Sequence, residues 1–326
     1  RLESRDLLIP HAVAIGILYL LNALANFFDR IPVVGEKIPH WITLIGAVLI
    51  VLVAMALVAE LISDNISQVA AAAPAYQTNF EKLILAASKL AGFEKTPDFA
   101  KITDQLDIRA LVSGLASTVA GFAGSLGIVL VYVLFLLIEQ GSFEKKLDAL
   151  FPNAKKRQDV RDLLHRMQVQ IQSYVAIKTL ASVATGTISY IILLIVGVDF
   201  AAFWGFVIFL LNYIPTIGSM LGILLPTLLA VVQFATLGPV LAVVIGGGLT
   251  QFLIGNVIEP RLMGTSLNIS PLVVLISLAV WGSIWGLAGM FLSVPLTMIA
   301  LIIFSHFAAT RPIAIILSGN GEIERS

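Results

Sequence analysis

Between Lys178 and Arg311 the chain carries only three formally charged side chains, Asp199, Glu259 and Arg261. A water-facing surface cannot be built with so few charges over such a length. A bilayer enforces that economy, because a charged side chain at its centre costs about 2.5 to 3.5 kcal/mol on insertion scales. Two of the three charges flank one proline in the stretch Gly255-Asn256-Val257-Ile258-Glu259-Pro260-Arg261-Leu262-Met263-Gly264. Glu259 and Arg261 either line a cavity or pathway at membrane depth, or close a helix at the membrane surface where both are hydrated. In both cases Pro260 favours broken backbone, since it lacks an amide hydrogen and biases Glu259 away from helical geometry.

Composition extends the reading to the whole chain. With 58% hydrophobic and 12% charged residues and a mean hydropathy of +0.97, the 326-residue sequence is that of an integral membrane protein. The net charge is zero, so no basic surface points to nucleic acid. The absence of cysteine removes disulfides, thiol catalysis and thiolate metal sites. His11, His40, His165 and His306 are far apart, and none has a partner at metal-ligand spacing. No metal or cofactor is expected. Nor is an intramembrane enzyme, because the deep region offers serines and threonines with only His306 as a base.

In chain order, residues 1–62 hold two apolar runs long enough to cross the ~30 Å hydrocarbon core, about 7–28 and 41–62, with Trp41 as an interfacial anchor. Residues 63–110 turn amphipathic. Tyr76, Phe80, Leu83, Ala87 and Leu90 form one apolar stripe, as expected of a helical arm outside the membrane. Residues 111–138 form a further span with Gly114, Gly121, Gly124 and Gly127 along it, a candidate for helix or subunit packing. Residues 139–173 are charged and amphipathic. Up to Lys178 this segment holds eight Lys and Arg against five Asp and Glu, an excess that places it on the cytoplasmic side. Residues 174–310 form the transport core, and 311–326 a cytoplasmic tail. By parity, 64–109 lies outside and Arg1 outside, so a protein starting inside needs one more span upstream of Arg1.

Two segments of the core are interrupted. Near 200–235, Asn212, Tyr213, Ile214, Pro215, Thr216, Ile217 and Gly218 break an apolar run. Near 271–309, Gly282, Trp285, Gly286 and Gly289 do the same. Paired glycine- and proline-broken segments flanking a charged motif are the sequence pointer to a transporter site built from discontinuous helices. Prolines that merely kink ordinary spanning helices are the alternative. The expected fold is an all-α polytopic membrane protein of about seven to eight transmembrane segments, including two broken or re-entrant hairpins, with amphipathic arms outside the membrane.

Three motifs in order, Asn212-Tyr213-Ile214-Pro215-x-Ile217-Gly218, Glu259-Pro260-Arg261-x-Met263-Gly264 and Gly286-x-x-Gly289-Met290-x-Leu292-Ser293-Val294-Pro295-Leu296, resemble the autoinducer-2 exporter family, also called PerM-like permeases. The similarity is strongest over 175–318. It implies a multi-pass protein of the inner membrane with one span before Arg1. It also implies assembly into a homo-oligomer, a pentamer, and export of small molecules such as the furanone signal autoinducer-2. Some family members are instead similar to sodium or lithium for proton antiporters. Where the family has Asn-Pro-Leu near the end of the first span, this chain has Asn22-Ala23-Leu24, which removes the expectation of a kink there.

The path residues follow from the broken segments. Asn212, Tyr213 and Thr216 offer hydrogen bonds, and Pro215 and Gly218 fix the broken backbone. Asn256 and Glu259 supply polar contact or proton coupling, and Arg261, beyond Pro260, holds Glu259 or meets an anion. Asp199 is the other candidate for coupling. An uncharged polar lining suits a small, near-neutral polar solute. A monovalent cation exchanged for protons through Glu259 or Asp199 is the alternative partner.

Overall fold

The computed structural model describes residues 3–29, 39, 42–53, 56, 57, 60, 76, 78, 79, 82, 108–264 and 268–322. Among them there is no strand. The helices are α1 (Glu3–Asp29), α2 (Ile42–Val53), α3 (Ile108–Leu150), α4 (Ala154–Val196), α5 (Ala201–Leu211), α6 (Ile217–Phe234), α7 (Leu237–Phe252), α8 (Glu259–Met263), α9 (Pro271–His306) and α10 (Arg311–Leu317). A π-helical turn, Leu253–Ile258, joins α7 to α8. Among the described residues five helices are long and apolar enough to cross a membrane. Exposed Phe135, Ile138, Leu180, Ile195 and Leu237 form surface that only lipid or another apolar chain can cover. The protein is thus an all-α polytopic membrane protein. Most of the expected arm, including Phe80, Leu83, Ala87 and Leu90 of its stripe, lies outside the described residues, as does the connection at 30–38.

The chain divides into two compact units. The first comprises residues 1–52, 125–180 and 259–326. In it Ala14, Leu21, Ala47, Val129 and Val133 pack α1, α2 and α3 together, and Met167, Ile171 and Ile302 join α4 to α9. The apolar run of α3 continues into the charged stretch as one helix of 43 residues, about 65 Å long, roughly twice the bilayer core. Pro152 stops it, and Asn153 caps α4 by accepting hydrogen bonds from the Lys155 and Lys156 amides at 3.0 and 3.2 Å. Across this corner Arg161 pairs with Glu144 at 2.7 Å and Asp148 at 3.0 Å, fixing the charged ends of α3 and α4 against each other.

In the same unit α9 reverses direction. Gly286 has φ 63° and ψ −139°, a backbone state that a side chain disfavours. A Cβ on Gly289 would sit 1.9 Å from the Trp281 carbonyl oxygen, whereas residues eight apart in a straight helix stand about 12 Å apart. Val274 of the first limb and Met298 of the second accordingly share one apolar cluster. The limbs, 271–285 and 287–306, are about 22 and 30 Å long.

The second unit comprises residues 53–124 and 181–258 and contains the other hairpin. Its first limb, α5, has 11 residues, about 16 Å, too short to cross the core. At the turn Ile214 and Gly218 donate to the Leu211 and Ile214 carbonyls at 2.9 and 3.0 Å. A Cβ on Gly218 would lie 1.7 Å from the Leu211 oxygen, so only glycine admits this closeness. α5 crosses α4 where Gly186 and Gly205 meet, each within 3.0 Å of where the other's Cβ would need space. Of the glycines along 111–138, a Cβ at Gly114, Gly121 or Gly127 meets nothing within 4 Å among the described residues, and the side-chain surroundings of Gly124 lie outside them. Leu193, Phe203, Trp204, Ile208, Ala230 and Val243 fill the core of this unit.

Gly218→Ala and Gly289→Ala should each lower stability by about 3 kcal/mol, read as a fall in melting temperature of the detergent-solubilised protein. Gly248→Ala, where an added methyl meets nothing within 4 Å, should be neutral or slightly stabilising.

Candidate functional site

Pro260 leaves the chain helical but changes its pitch. Proline cannot donate to the carbonyl four residues back, and its ring clashes with that carbonyl. The preceding turn, Leu253–Ile258, widens into a π-helix, a winding that often marks functional positions. The expectation of broken backbone at this point is therefore met by a wider turn, and the break itself comes at Gly264, with φ 53°. On this ledge Glu259 accepts a hydrogen bond from Lys178 of α4, Nζ to Oε1 at 2.6 Å, with the two side chains 8% and 13% exposed. Arg261 is exposed and forms no ion pair with Glu259.

Lys178 went unassigned in the sequence because it reads as the last cation of the charged segment. The signal that could have exposed it is its position four residues beyond Tyr174 on the apolar stripe of the same helix. A buried pair of this kind has little net value over apolar substitutes, but removing one partner costs about 3 to 5 kcal/mol, since the other charge is left stranded. The pair leaves no net charge at this place in the unit.

Asp199 has a different setting, in the second unit. Its carboxylate accepts the Tyr76 hydroxyl at 2.7 Å, and its amide donates to Gln233 Oε1 at 2.8 Å. Gln233 Nε2 in turn donates to the Gly197 carbonyl at 2.8 Å, and its own carbonyl accepts from Asn79 at 2.8 Å. These bonds tie the end of α6 to the α4–α5 connection and to the arm. Burial, then the carboxylate beside it, raise the Tyr76 hydroxyl above its ordinary pKa, so the phenol stays a donor.

The path residues at the first hairpin divide similarly. Asn212 is buried and donates to the buried Ser182 hydroxyl at 3.1 Å, pinning the turn to α4. Tyr213 is half-buried with its ring edge-on to Phe209, Pro215 is half-buried, and Thr216 is exposed at φ 61°. Asn256 is exposed, as is Pro260. Asn212, Tyr213, Pro215, Thr216, Gly218, Asn256 and Asp199 belong to the second unit, and Glu259, Pro260 and Arg261 to the first.

Two buried polar side chains of the second unit lack a hydrogen-bond partner among the described residues, the Trp204 indole N–H and the Gln251 amide. Gln251 on α7 is 6% exposed, and neither its Nε2 nor its Oε1 has a hydrogen-bond partner among the described residues. An unmatched buried polar group costs about 1 to 3 kcal/mol. The amide borders a narrow cleft that Ser189, Ile208, Gly222, Pro226 and Gly247 also line. Its cavity volume is about 10 Å³, the room of roughly one water molecule. Gln251 has no prominence in the sequence, since one glutamine in an apolar run carries no spacing pattern. Among the described residues no group of three or more metal-ligating side chains occurs.

The profile of the AI-2E family of transporters matches residues 2–309. The AI-2 transport protein TqsA of Escherichia coli K12 is 29% identical over 319 residues, covering 97% of this chain and 90% of its own. YhhT of the same strain is 28% identical, covering 96% and 88%. A Borreliella burgdorferi relative is 37% identical over 205 residues, 62% of this chain and 56% of its own. The matches extend through the broken hairpins and the Glu259-Pro260-Arg261 turn alike. An all-α membrane chain with this architecture, matched almost end to end, belongs to the AI-2E transporter family and is a transport protein rather than an enzyme.

Proposed function

We propose that the chain is a secondary exporter of a small polar molecule, an autoinducer-2-like signal, driven by an ion gradient across the bacterial inner membrane. One observation carries the choice of solute. In the second unit every buried polar side chain among the described residues is uncharged: Ser182, Thr185, Ser189, Asn212, Thr250 and Gln251. Neutral groups of this kind hydrogen-bond a hydroxylated solute without the desolvation cost that a fixed charge brings to the membrane interior. The naming of TqsA as an AI-2 transport protein supports the same solute. Homo-oligomeric assembly, as a pentamer, fits the exposed apolar row Val131, Leu134, Phe135 and Ile138 of α3, which lipid or a second copy must cover.

A second reading rests on the Lys178–Glu259 pair. A proton taken by Glu259 would release Lys178, and such a switch suits exchange of a monovalent cation for protons. Asp199 suits this role less well, because Tyr76 and Gln233 already hold it in place.

Proteoliposomes under imposed proton and sodium gradients separate the two. Saturable, proton-driven flux of labelled autoinducer-2 that Glu259→Gln weakens without abolishing is the expected result. Signal left in place while added sodium or lithium discharges the proton gradient, with Glu259→Gln abolishing that exchange, would put the antiporter first. Lys178→Met alone should destabilise the protein by about 3 to 5 kcal/mol, and Lys178→Met with Glu259→Met should restore stability to near native. If the pair couples transport to protons, that doubly substituted protein folds yet moves signal without regard to the proton gradient.

A further inference from the structure

Resting on the transport reading above, we propose that Gln251 and Ser189 are the contact point that holds the solute. The ligand they fit is an uncharged molecule presenting a hydroxyl next to a second oxygen acceptor. Gln251 brings two donor hydrogens on Nε2 and an acceptor at Oε1, all unpaired although the residue is buried. Folded proteins rarely leave a buried amide without partners, and an exception needs an explanation such as a missing ligand or water. A solute hydroxyl donating to Oε1, with a neighbouring oxygen accepting from Nε2, completes both halves of the amide. Ser189, also buried, faces the same cleft with a hydroxyl that can give or take a further bond.

The walls decide the charge of the ligand. Ile192, Ile208, Ile223 and Val243 supply apolar surface, and among the described residues no charged side chain lines the cleft. A cation would lose its hydration there against one amide oxygen and one hydroxyl, where hard cations require several oxygen ligands. A neutral hydroxylated solute gives up fewer hydrogen bonds on entry and buries its carbon skeleton against the isoleucines.

Four helices contribute to the lining of the cleft. Gly222 and Pro226 on α6, with Ile208 on α5, belong to the broken hairpin, while Gln251 and Gly247 stand on α7 and Ser189 on α4. A Cβ at Gly222 would lie 3.3 Å from Gln251 Nε2, so the missing side chain is what leaves the amide facing the hairpin limb. In the conformation seen, the space matches one water molecule. Admission of a solute larger than water requires α6 to move away from α7.

The test is the uptake of labelled autoinducer-2 into proteoliposomes by the native chain, Gln251→Met and Ser189→Ala, alongside thermal melting of each. Gln251→Met should raise the half-saturating signal concentration at least tenfold with maximal flux little changed. Its melting temperature should be equal or higher, because methionine fills the same shape without an unmatched amide. Ser189→Ala, which perturbs packing little, should give a smaller rise in the same parameter. Native uptake with unchanged half-saturation in both variants would overturn the site and leave the transport reading standing, with the amide then serving a single bound water. A clear drop in melting temperature for Gln251→Met would likewise overturn it, by making the amide part of the packing. Absence of signal uptake by the native chain, with sodium–proton exchange in its place, would overturn the transport reading and the site together.

Discussion

Inside a bilayer no water stands ready to complete a hydrogen bond, so any backbone group that leaves a regular helix must find its partner within the protein. The two hairpins satisfy that demand by closeness. At the first, the turn amides of Ile214 and Gly218 reach carbonyls three and four residues back. That is possible because Gly218 lies where any Cβ would collide with the Leu211 oxygen. At the second, Gly286 reverses the chain and Gly289 lies against the Trp281 carbonyl. The π turn before Glu259 answers the same demand in another way, by widening the helix around a proline that cannot donate. At these three places irregular backbone is accommodated by a glycine or a wider pitch.

Most buried polar side chains find partners among the described residues, whereas the Gln251 amide and the Trp204 and Arg161 N–H groups do not. Lys178 and Glu259 neutralise each other, Asn212 is held by Ser182, and Asp199 is held by Tyr76 and the Gln233 amide. Each of these joins elements that the chain brings together from far apart in sequence. Gln251 stands apart, buried and unpaired beside a cleft. Trp204 leaves a single donor unmatched, whereas the Gln251 amide leaves donors and an acceptor together beside a cleft, a combination suited to meet something that comes and goes. A satisfied group gives structure, and an unsatisfied one leaves binding capacity.

The membrane character, the helical fold and the places where helices break were readable before any coordinates. The charge desert from Lys178 to Arg311, the Asn-Tyr-Ile-Pro turn and the Gly286 region are local signals, set by hydropathy and by the backbone limits of proline and glycine. Partnership was less readable. The single proline between Glu259 and Arg261 left their relative direction open, and Glu259 turns to Lys178, 81 residues away. Small residues along 111–138 are local to the sequence, whereas the close crossing of Gly186 and Gly205 joins residues of two helices. A glycine records that space is needed or tolerated, and cannot say which neighbour uses it.

Sequence by itself determined that this chain lives in a membrane, that it is all helical, and that two of its apolar segments are interrupted. Those properties depend on the solvent and on residues close together in the chain. Tertiary structure decided which charges pair, which amide stays unpaired, and that Asn212 ties a turn to Ser182 of α4. These outcomes depend on which helix faces meet, and contact between faces is a matter of distances in space that no spacing along the chain encodes.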